Sequence, residues 1–278
     1  MNTMQRKWKT ALSFAFAIIA IQIPATATPW VSAYYTTWTV GSPAPADIDM
    51  RPITHLLFFA LAPNADGTLT DTDGGITANA TAVKTVAHNA GKKVLICIGG
   101  GGTAANFRGA ISSAHRAAFV TNITNWMTTN GYDGVDIDME PMASTDAADY
   151  QAFITALRTS IGSTKLLTAA VEPYGFPSIF APIQGQFNQI NVMTYDMSGA
   201  WPGWCSWHNA NLYQGGQFMP STGNPMPSAE GSVNTYPSVS IIGETVRYTK
   251  CNPYRGRRMV KSVGFSHLQW SARKRRST

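Results

Sequence analysis

Cysteine is scarce in this chain of 278 residues and occurs at Cys97, Cys205 and Cys251 only. An odd number of cysteines excludes a fold in which every one is held in an internal disulfide. Cys97 lies in an apolar segment that is typical of a buried thiol, and pairing of Cys205 with Cys251 in an oxidising compartment stays open. The five histidines have no zinc spacing, so we expect no metal site.

Acidic residues are absent from the end of the chain. All 15 of them precede residue 247, and residues 28–246 hold 8 basic residues beside them, for a net charge of −7. Residues 247–278 hold 10 basic residues and no acidic one. The overall charge of +6 therefore comes from residues 247–278, whereas residues 28–246 are acidic. An acidic domain excludes nucleic acid as its partner.

Long apolar runs are missing after the amino-terminal segment. Three basic residues within the first nine precede an apolar run over residues 11–23, which is too short to span a bilayer comfortably. The small residues Ala25-Thr26-Ala27 are typical of a cleavage site. We expect a signal peptide over residues 1–27 and secretion after cleavage near Ala27, without later membrane association. An uncleaved membrane anchor is the alternative.

Acidic and apolar residues alternate in the segment DGVDIDME, residues 133–140. Alternation predicts a strand, on which Asp136, Asp138 and Glu140 share one face. Carboxyl groups in one row raise the pKa of at least one member, which then keeps a proton to donate. Apolar neighbours argue against a solvated acidic face, and the glycine and distal glutamate of a calcium loop are missing.

Predicted strands alternate with predicted helices along the body. Besides the acidic strand, we expect strands at Trp30–Trp38, His55–Ala62, Lys93–Ile98, Leu166–Val171 and Ile190–Tyr195. Apolar stripes at helical spacing fall within residues 83–90, 119–127 and 150–161, and a short helix is expected at 177–183. This rhythm predicts an α/β fold with a parallel sheet, and it fits a barrel and a doubly wound sheet equally well.

At the acidic strand the chain resembles the family 18 glycoside hydrolases, the chitinases and their relatives. The family signature Asp-x-x-Asp-x-Asp-x-Glu is matched by Asp133, Asp136, Asp138 and Glu140. The resemblance covers about residues 30–235 and implies a (β/α)8 TIM-type barrel with this signature on its fourth strand. It also implies a reaction that needs no cofactor.

The resemblance implies a role for each acid in a retaining mechanism that the substrate assists. Glu140 would protonate the glycosidic oxygen, while the 2-acetamido group of the substrate attacks the anomeric carbon. Asp138 would orient that acetamido group, and Asp136 would share a proton with Asp138. Asp133 would be structural.

Two further motifs match the family in whole or in part. Cys97-Ile98-Gly99-Gly100 stands where the family has Ser-x-Gly-Gly, so that Gly99 and Gly100 fit and cysteine replaces serine. Met193-Thr194-Tyr195-Asp196 matches Met-x-Tyr-Asp. The resemblance adds Tyr195 to the catalytic residues and places Met193 and Asp196 near the substrate.

Aromatic residues complete the predicted substrate-binding set. Tyr34 and Trp201 are expected to contact the sugar, because flat aromatic side chains stack on sugar faces. For any single tryptophan, packing within the protein is an equally good interpretation.

The resemblance fades after about residue 235, where only Val239–Ile242 resembles a strand. We therefore expect a catalytic barrel over residues 28–245 that is incomplete at its end, with strands seven and eight not recognisable, followed by an atypical basic tail over 246–278. A reading-frame change or a truncated gene would account for this, and a basic tail that binds anionic surfaces is the alternative. Unpaired edges of the first and sixth strands would lower stability and activity.

The leading functional interpretation is hydrolysis of β-1,4 linkages between N-acetylglucosamine units, in chitin or its oligosaccharides, by a monomer. An endo-β-N-acetylglucosaminidase acting on glycoprotein glycans would use the same acids. A chitin-binding lectin with weak or no activity ranks third, because such lectins typically lose the catalytic glutamate and Glu140 is present.

Overall fold

The computed structural model describes residues 30–41, 43–200 and 202–236 in full, together with the backbone of two later strands at 242–247 and 262–266. The predicted signal peptide, Trp201, Cys251 and most of the basic tail lie outside the described residues, so the pairing of Cys251 with Cys205 stays open.

Nine strands and six helices occur in this described part. The strands are β1 (Trp30–Thr36), β2 (His55–Pro63), β3 (Leu69–Thr70), β4 (Lys93–Gly100), β5 (Gly134–Met139), β6 (Leu166–Val171), β7 (Gln189–Met193), β8 (Ile242–Arg247) and β9 (Ser262–Ser266). The helices are α1 (Gly75–Asn89), α2 (Ala104–Ile111), α3 (Arg116–Thr129), α4 (Ala147–Ile161), α5 (Pro177–Phe180) and α6 (Ala229–Asn234). No helix of the described residues is both long enough and apolar enough to cross a bilayer.

Eight of the strands form a closed ring. The strands β1, β2, β4, β5, β6, β7 and β8 are successive parallel neighbours. β9 lies antiparallel between β8 and β1 and closes the ring, while β3 extends β2 on the outside. The predicted barrel is confirmed, and so is its incompleteness as a (β/α)8 fold, because an antiparallel strand occupies the position of the eighth parallel one.

The expectation that the edges of the first and sixth predicted strands stay unpaired is wrong. β1 pairs with β9 through Val31 and Phe265, and β7 pairs with β8 through Val192 and Glu244. Both closing strands are short and contain glycine, and β8 lacks apolar alternation. Their pairing uses backbone groups, which a side-chain pattern does not reveal.

Several predicted boundaries also move. The strand expected to reach Trp38 ends at Thr36 and continues as a 3-10 turn, and the one expected to reach Tyr195 ends at Met193. The short helix predicted over residues 177–183 divides into α5 and a 3-10 turn. Helix α2 was not predicted. The βα order, which positions the acids, is unaffected.

The main core lies between the outer face of the ring and the helices. Val135, Ile137 and Met139 of β5 are buried in it, as their alternation with the acids predicts. A continuous row of ring contacts crosses the core, with centroids 5.1–6.4 Å apart between neighbours. The row consists of Phe107, Phe119, Phe153, Tyr150, Phe180 and Tyr236.

Strands β4 and β5 leave no room for a side chain at Gly99. A Cβ atom there would lie 2.0 Å from the carbonyl oxygen of Asp138 and 2.6 Å from the ring of Phe107. The φ angle of Gly99 is +114°, a backbone conformation that side chains rarely permit. Glycine at this position therefore allows the acidic strand to approach β4.

We predict that Gly99→Ala destabilises the fold by more than about 2 kcal/mol beyond a control substitution, because the new methyl group meets backbone atoms that cannot move aside. Gly91→Ala is the matched control, since Gly91 also has a positive φ of +68° but has nothing within 4 Å of its Cβ position. Urea unfolding of both variants measures the difference. Equal losses in the two variants would contradict the prediction.

Candidate active site

The acids of β5 form a row that leads from the interior of the ring to its open end. All six residues of the strand are buried, and its apolar members face the helices. Asp136 and Asp138 therefore face the interior, with exposed fractions of 0% and 3%. Glu140 follows the strand at its carboxyl end and is only partly buried. Asp136 and Asp138 thus share one face of β5, and Glu140 follows them at the end of the strand.

Three strands, the two neighbours of β5 and β1, contribute hydrogen bonds to Asp136. The Tyr34 hydroxyl of β1 donates to Oδ2 at 2.8 Å, and the Thr168 hydroxyl of β6 donates to Oδ1 at 2.5 Å. The Cys97 thiol of β4 also hydrogen-bonds to this carboxyl group. Cys97 and Thr168 are the register partners of Asp136 on its two sides, so parallel pairing brings these groups into one layer.

Burial raises the pKa of Asp136, and the hydrogen bonds from Thr168, Tyr34 and Cys97 offset only part of this effect. Burial and then the charge of Asp136 raise the pKa of the Tyr34 phenol and of the Cys97 thiol well above their usual values. Tyr34 and Cys97 therefore keep their protons and act as donors to Asp136. The cysteine that stands in the serine position of the family still supplies a hydrogen bond.

Asp138 and Glu140 continue the row toward the rim. The charge of Asp138 contributes to the raised pKa values of Tyr34 and Cys97, so its carboxyl group lies within electrostatic reach of the Asp136 layer. The backbone carbonyl of Glu140 accepts a hydrogen bond from the Ala104 N–H, 3.0 Å away, at the start of α2. This contact ties the backbone of Glu140 to the turn between β4 and α2.

The motif after β7 reaches the same end of the ring. Met193 is the last residue of β7 and is buried. Tyr195 is half-buried and close enough to Tyr34 to contribute to the raised pKa of that phenol. Asp196 is exposed and has a φ of +54°. Tyr34 and Tyr195, which were predicted separately, therefore lie near each other, while Asp196 lies at the surface.

Asp133, the first acid of the motif, lies apart from the others just before β5. It accepts hydrogen bonds from the backbone of Val94 at 2.9 Å, from His88 at 2.8 Å and from Lys93 at 3.1 Å. Burial alone would raise the pKa of Asp133, but these three partners outweigh it and lower that pKa. The contacts tie the start of β5 to β4 and α1.

Aromatic side chains of β1, of β2 and of the turn after β1 form a cluster beside the acids. Phe59 packs edge-on against Tyr34 at 6.3 Å and against Trp38 at 5.5 Å between ring centroids. Gly100 makes room for it, since a Cβ there would lie 2.5 Å from the Phe59 ring. Trp38 is 68% exposed and presents a flat apolar face near the rim.

Sequence reasoning missed two residues of this region. Thr168 bonds to Asp136, and Glu172 lies close enough to Glu140 for that acid to raise its pKa. Thr168 lies beside Asp136 because of the register between β5 and β6, and a side-chain pattern does not predict that register. A signal for Glu172 does exist, because Glu172-Pro173 follows its strand just as Glu140-Pro141 follows β5.

Clusters of three or more histidine, cysteine, aspartate or glutamate side chains suited to a metal ion do not occur among the described residues. The acids of β5 are accompanied instead by hydroxyl and thiol donors. This arrangement suits proton transfer and hydrogen bonding to a polar neutral ligand.

Comparison with known proteins gives one family over most of the chain. Residues 31–256 match the family described as glycosyl hydrolases family 18. Chitinase 1 of Aphanocladium album is 29% identical over 217 residues, which are 66% of this chain and 51% of that protein. A probable endochitinase of Caenorhabditis elegans is 32% identical over 197 residues, 60% of this chain and 32% of that protein. The chain thus spans about half or less of the length of these relatives.

Solved chitinase structures share the fold. A Group IV chitinase of Ostrinia furnacalis in complex with allosamidin has a TM-score of 0.63 at 21% identity, covering 83% of this chain and 70% of that one. A chitinase of Rhizomucor miehei has a TM-score of 0.64 at 22% identity, covering 83% of this chain and 68% of that one. At these identities the likeness concerns the fold alone.

We predict that Asp136→Asn changes how stability depends on pH. Because the folded state raises the pKa of Asp136, it binds more protons than the unfolded state above pH about 4, the ordinary value for aspartate. The free energy of unfolding of the parent protein therefore falls as pH rises from there through the raised pKa. Asparagine does not titrate, so the variant loses this part of the slope.

Urea unfolding of the parent and of Asp136→Asn across pH 4–8 checks this expectation. The exposed Asp47→Asn is the matched control and should keep the parent slope. A difference between the parent and Asp136→Asn that stays constant with pH would contradict it.

Proposed function

The chain belongs to glycosyl hydrolase family 18, and we propose that it hydrolyses β-1,4 linkages between N-acetylglucosamine units in chitin or chitooligosaccharides. The observation that carries the proposal is the row of acids on β5. Its inner member, Asp136, is buried among three hydrogen-bond partners, and its outer member, Glu140, is accessible at the rim. Such a row combines a proton donor at the rim, Glu140, with further carboxyl groups held in the interior of the ring.

The first proposed step breaks the glycosidic bond. Glu140 in its neutral form gives its proton to the glycosidic oxygen, which leaves as a hydroxyl group. The carbonyl oxygen of the substrate's own 2-acetamido group attacks the anomeric carbon from the opposite face, in the substrate-assisted manner of this family. The product of this step is a cyclic oxazolinium ion. Asp138 accepts a hydrogen bond from the N–H of the acetamido group and stabilises the positive charge of the oxazolinium ion.

The second proposed step opens that ring with water. Glu140, now a carboxylate, takes a proton from a water molecule as its oxygen attacks the anomeric carbon. The bond to the acetamido oxygen breaks, and Glu140 regains the proton that it gave away. Two displacements at one carbon retain its configuration, and no protein group becomes covalently attached.

Asp136 and Tyr195 support the acetamido group in this proposal. Because burial raises the pKa of Asp136, this acid is suited to share one proton with Asp138 while charge develops. The Tyr195 hydroxyl, which lies near Tyr34, would donate to the acetamido oxygen. Met193 and Asp196 would line the same sugar subsite. Asp133 would have a structural role only.

The sugar chain would lie across the aromatic rim. Trp38, held edge-on by Phe59 and 68% exposed, offers a face on which a pyranose ring stacks. Tyr34 and Trp201 belong to the proposed contacts as well. The proposed ligand is uncharged, which agrees with a body that has no basic excess.

We also propose secretion, cleavage near Ala27 and action as a monomer. A relative in Penicillium expansum is named a secreted chitinase, and the amino-terminal segment of this chain has the composition of a signal peptide. The proposed catalytic domain begins at residue 28 and extends past residue 245 into the basic segment, because β8 and β9 complete the ring.

We predict that Glu140→Gln lowers turnover of a chitooligosaccharide by about 10²–10⁴-fold, because glutamine cannot donate the proton. Oligosaccharide binding, measured by calorimetry, should persist because the substitution preserves shape. Glu230→Gln is the matched control, since Glu230 is an exposed glutamate on α6. Turnover close to the parent value in a folded Glu140→Gln protein would sink the proposed role.

The same assay separates the alternatives. Cleavage of a high-mannose glycopeptide in preference to a chitooligosaccharide would favour an endo-β-N-acetylglucosaminidase. Binding by the parent protein without turnover of either substrate would favour a chitin-binding lectin.

We predict that a thiazoline analogue of the cyclic intermediate inhibits competitively, because it reproduces the ring formed by the acetamido group. Inhibition kinetics with a chitooligosaccharide substrate measure this, with N-acetylglucosamine itself as a control for simple sugar binding. Mass spectrometry of the enzyme trapped during turnover shows whether a sugar is covalently attached to the protein. A sugar ester on Asp138 or Asp136 would refute the substrate-assisted step.

A further inference from the structure

Glu172 occupies the same position on β6 that Glu140 occupies on β5. The two strands pair in parallel, with Asp136 opposite Thr168 and Asp138 opposite Ala170. Two residues further along each strand, the same register brings the chain to Glu140 and to Glu172. Both glutamates follow the last residue of a strand, and both precede a proline. Both therefore follow paired strands at the same end of the ring, and the charge of Glu140 reaches the Glu172 carboxyl.

The backbone of Glu172 is held in place from the core. The Tyr236 hydroxyl donates to the Glu172 carbonyl oxygen at 2.6 Å, and the Gly175 N–H donates to the same oxygen at 3.2 Å. Tyr236 is itself buried and packs against Phe180 at 6.2 Å between ring centroids. These contacts fix the point from which the Glu172 side chain projects.

Groups from three parts of the described chain influence the Glu172 carboxyl. They are the backbone N–H of Met142, the carboxyl of Glu140 and the phenol of Tyr236. Burial raises the pKa of Glu172, the charge of Glu140 raises it further, and the Met142 N–H offsets part of this rise. Burial and then the charge of Glu172 raise the pKa of Tyr236, so the phenol stays neutral.

We propose that Glu172 is a positioning residue for the glycosidase reaction proposed above, and that its charge holds the catalytic proton on Glu140. Repulsion between adjacent carboxylates favours the form in which one of them keeps its proton. In the first step that proton leaves with the departing sugar. In the second step the negative Glu172 makes the Glu140 carboxylate a stronger base toward water, so the pair favours recovery of the proton.

The test follows the glutamate carboxyls directly, because the chain has four glutamates, at 140, 172, 230 and 244. In the full chain labelled with ¹³C at the glutamate carboxyl, NMR titration follows four resonances, which single glutamine variants assign. Glu172→Gln should shift the titration midpoint of Glu140 to lower pH by about half a unit or more. Glu140→Gln should shift the midpoint of Glu172 in the same direction, and Glu230→Gln should move neither.

A kinetic measurement accompanies the titration. In Glu172→Gln the alkaline limb of the kcat/KM profile should move to lower pH, since that limb reports the proton on Glu140. A purely structural role would lower activity at every pH without moving the limb. An unmoved Glu140 midpoint in a folded Glu172→Gln protein overturns the inference. If that variant does not fold, an unmoved Glu172 midpoint in Glu140→Gln overturns it instead.

The two proposals fail in different ways. Coupled midpoints in a protein that turns over no substrate would uphold the pairing of the carboxyls and refute the proposed hydrolysis. Robust turnover with uncoupled midpoints would uphold the hydrolysis and refute the role of Glu172.

Discussion

The candidate site depends on one constraint, which is that the Asp136 carboxyl must be satisfied inside a ring that excludes water. Donors from β1, β4 and β6 converge on this single side chain. A slip of β6 by one residue would replace Thr168 with an apolar neighbour and leave a carboxyl oxygen unpaired. Such a loss costs about 1–3 kcal/mol or more for a charged group, so the buried acid also specifies the register of the strands around it.

The parts that the sequence predicted are those in which side-chain pattern and structure are directly linked. Alternation along β5 predicted which residues face the ring interior, and apolar stripes predicted the helices that cover its outer face. The periodic pattern did not choose between a barrel and a doubly wound sheet. That choice came from Asp133, Asp136, Asp138 and Glu140, whose fixed spacing carries the family resemblance.

The features of the fold and site that the sequence did not predict depend on contacts between segments that are distant in the chain. Closure of the ring through β8 and β9 rests on backbone hydrogen bonds, which leave little trace in short strands that contain glycine. Thr168 is selected by strand register, and Glu172 by the pairing of β5 with β6, which brings the two strand ends to the same end of the ring. Asp133 belongs to the motif, but its partners His88 and Lys93 come from α1 and β4.

The row of aromatic rings in the helical layer connects the packing around Gly99 with the backbone of Glu172. The row begins at Phe107, against which Gly99 packs, and ends at Tyr236, whose hydroxyl donates a hydrogen bond to the backbone carbonyl of Glu172. A smaller ring at an inner position such as Tyr150 would relax its neighbours on both sides. In the proposed reaction, selection on the pKa of Glu140 would then also act on the packing of these rings, which belong to none of the proposed sugar contacts.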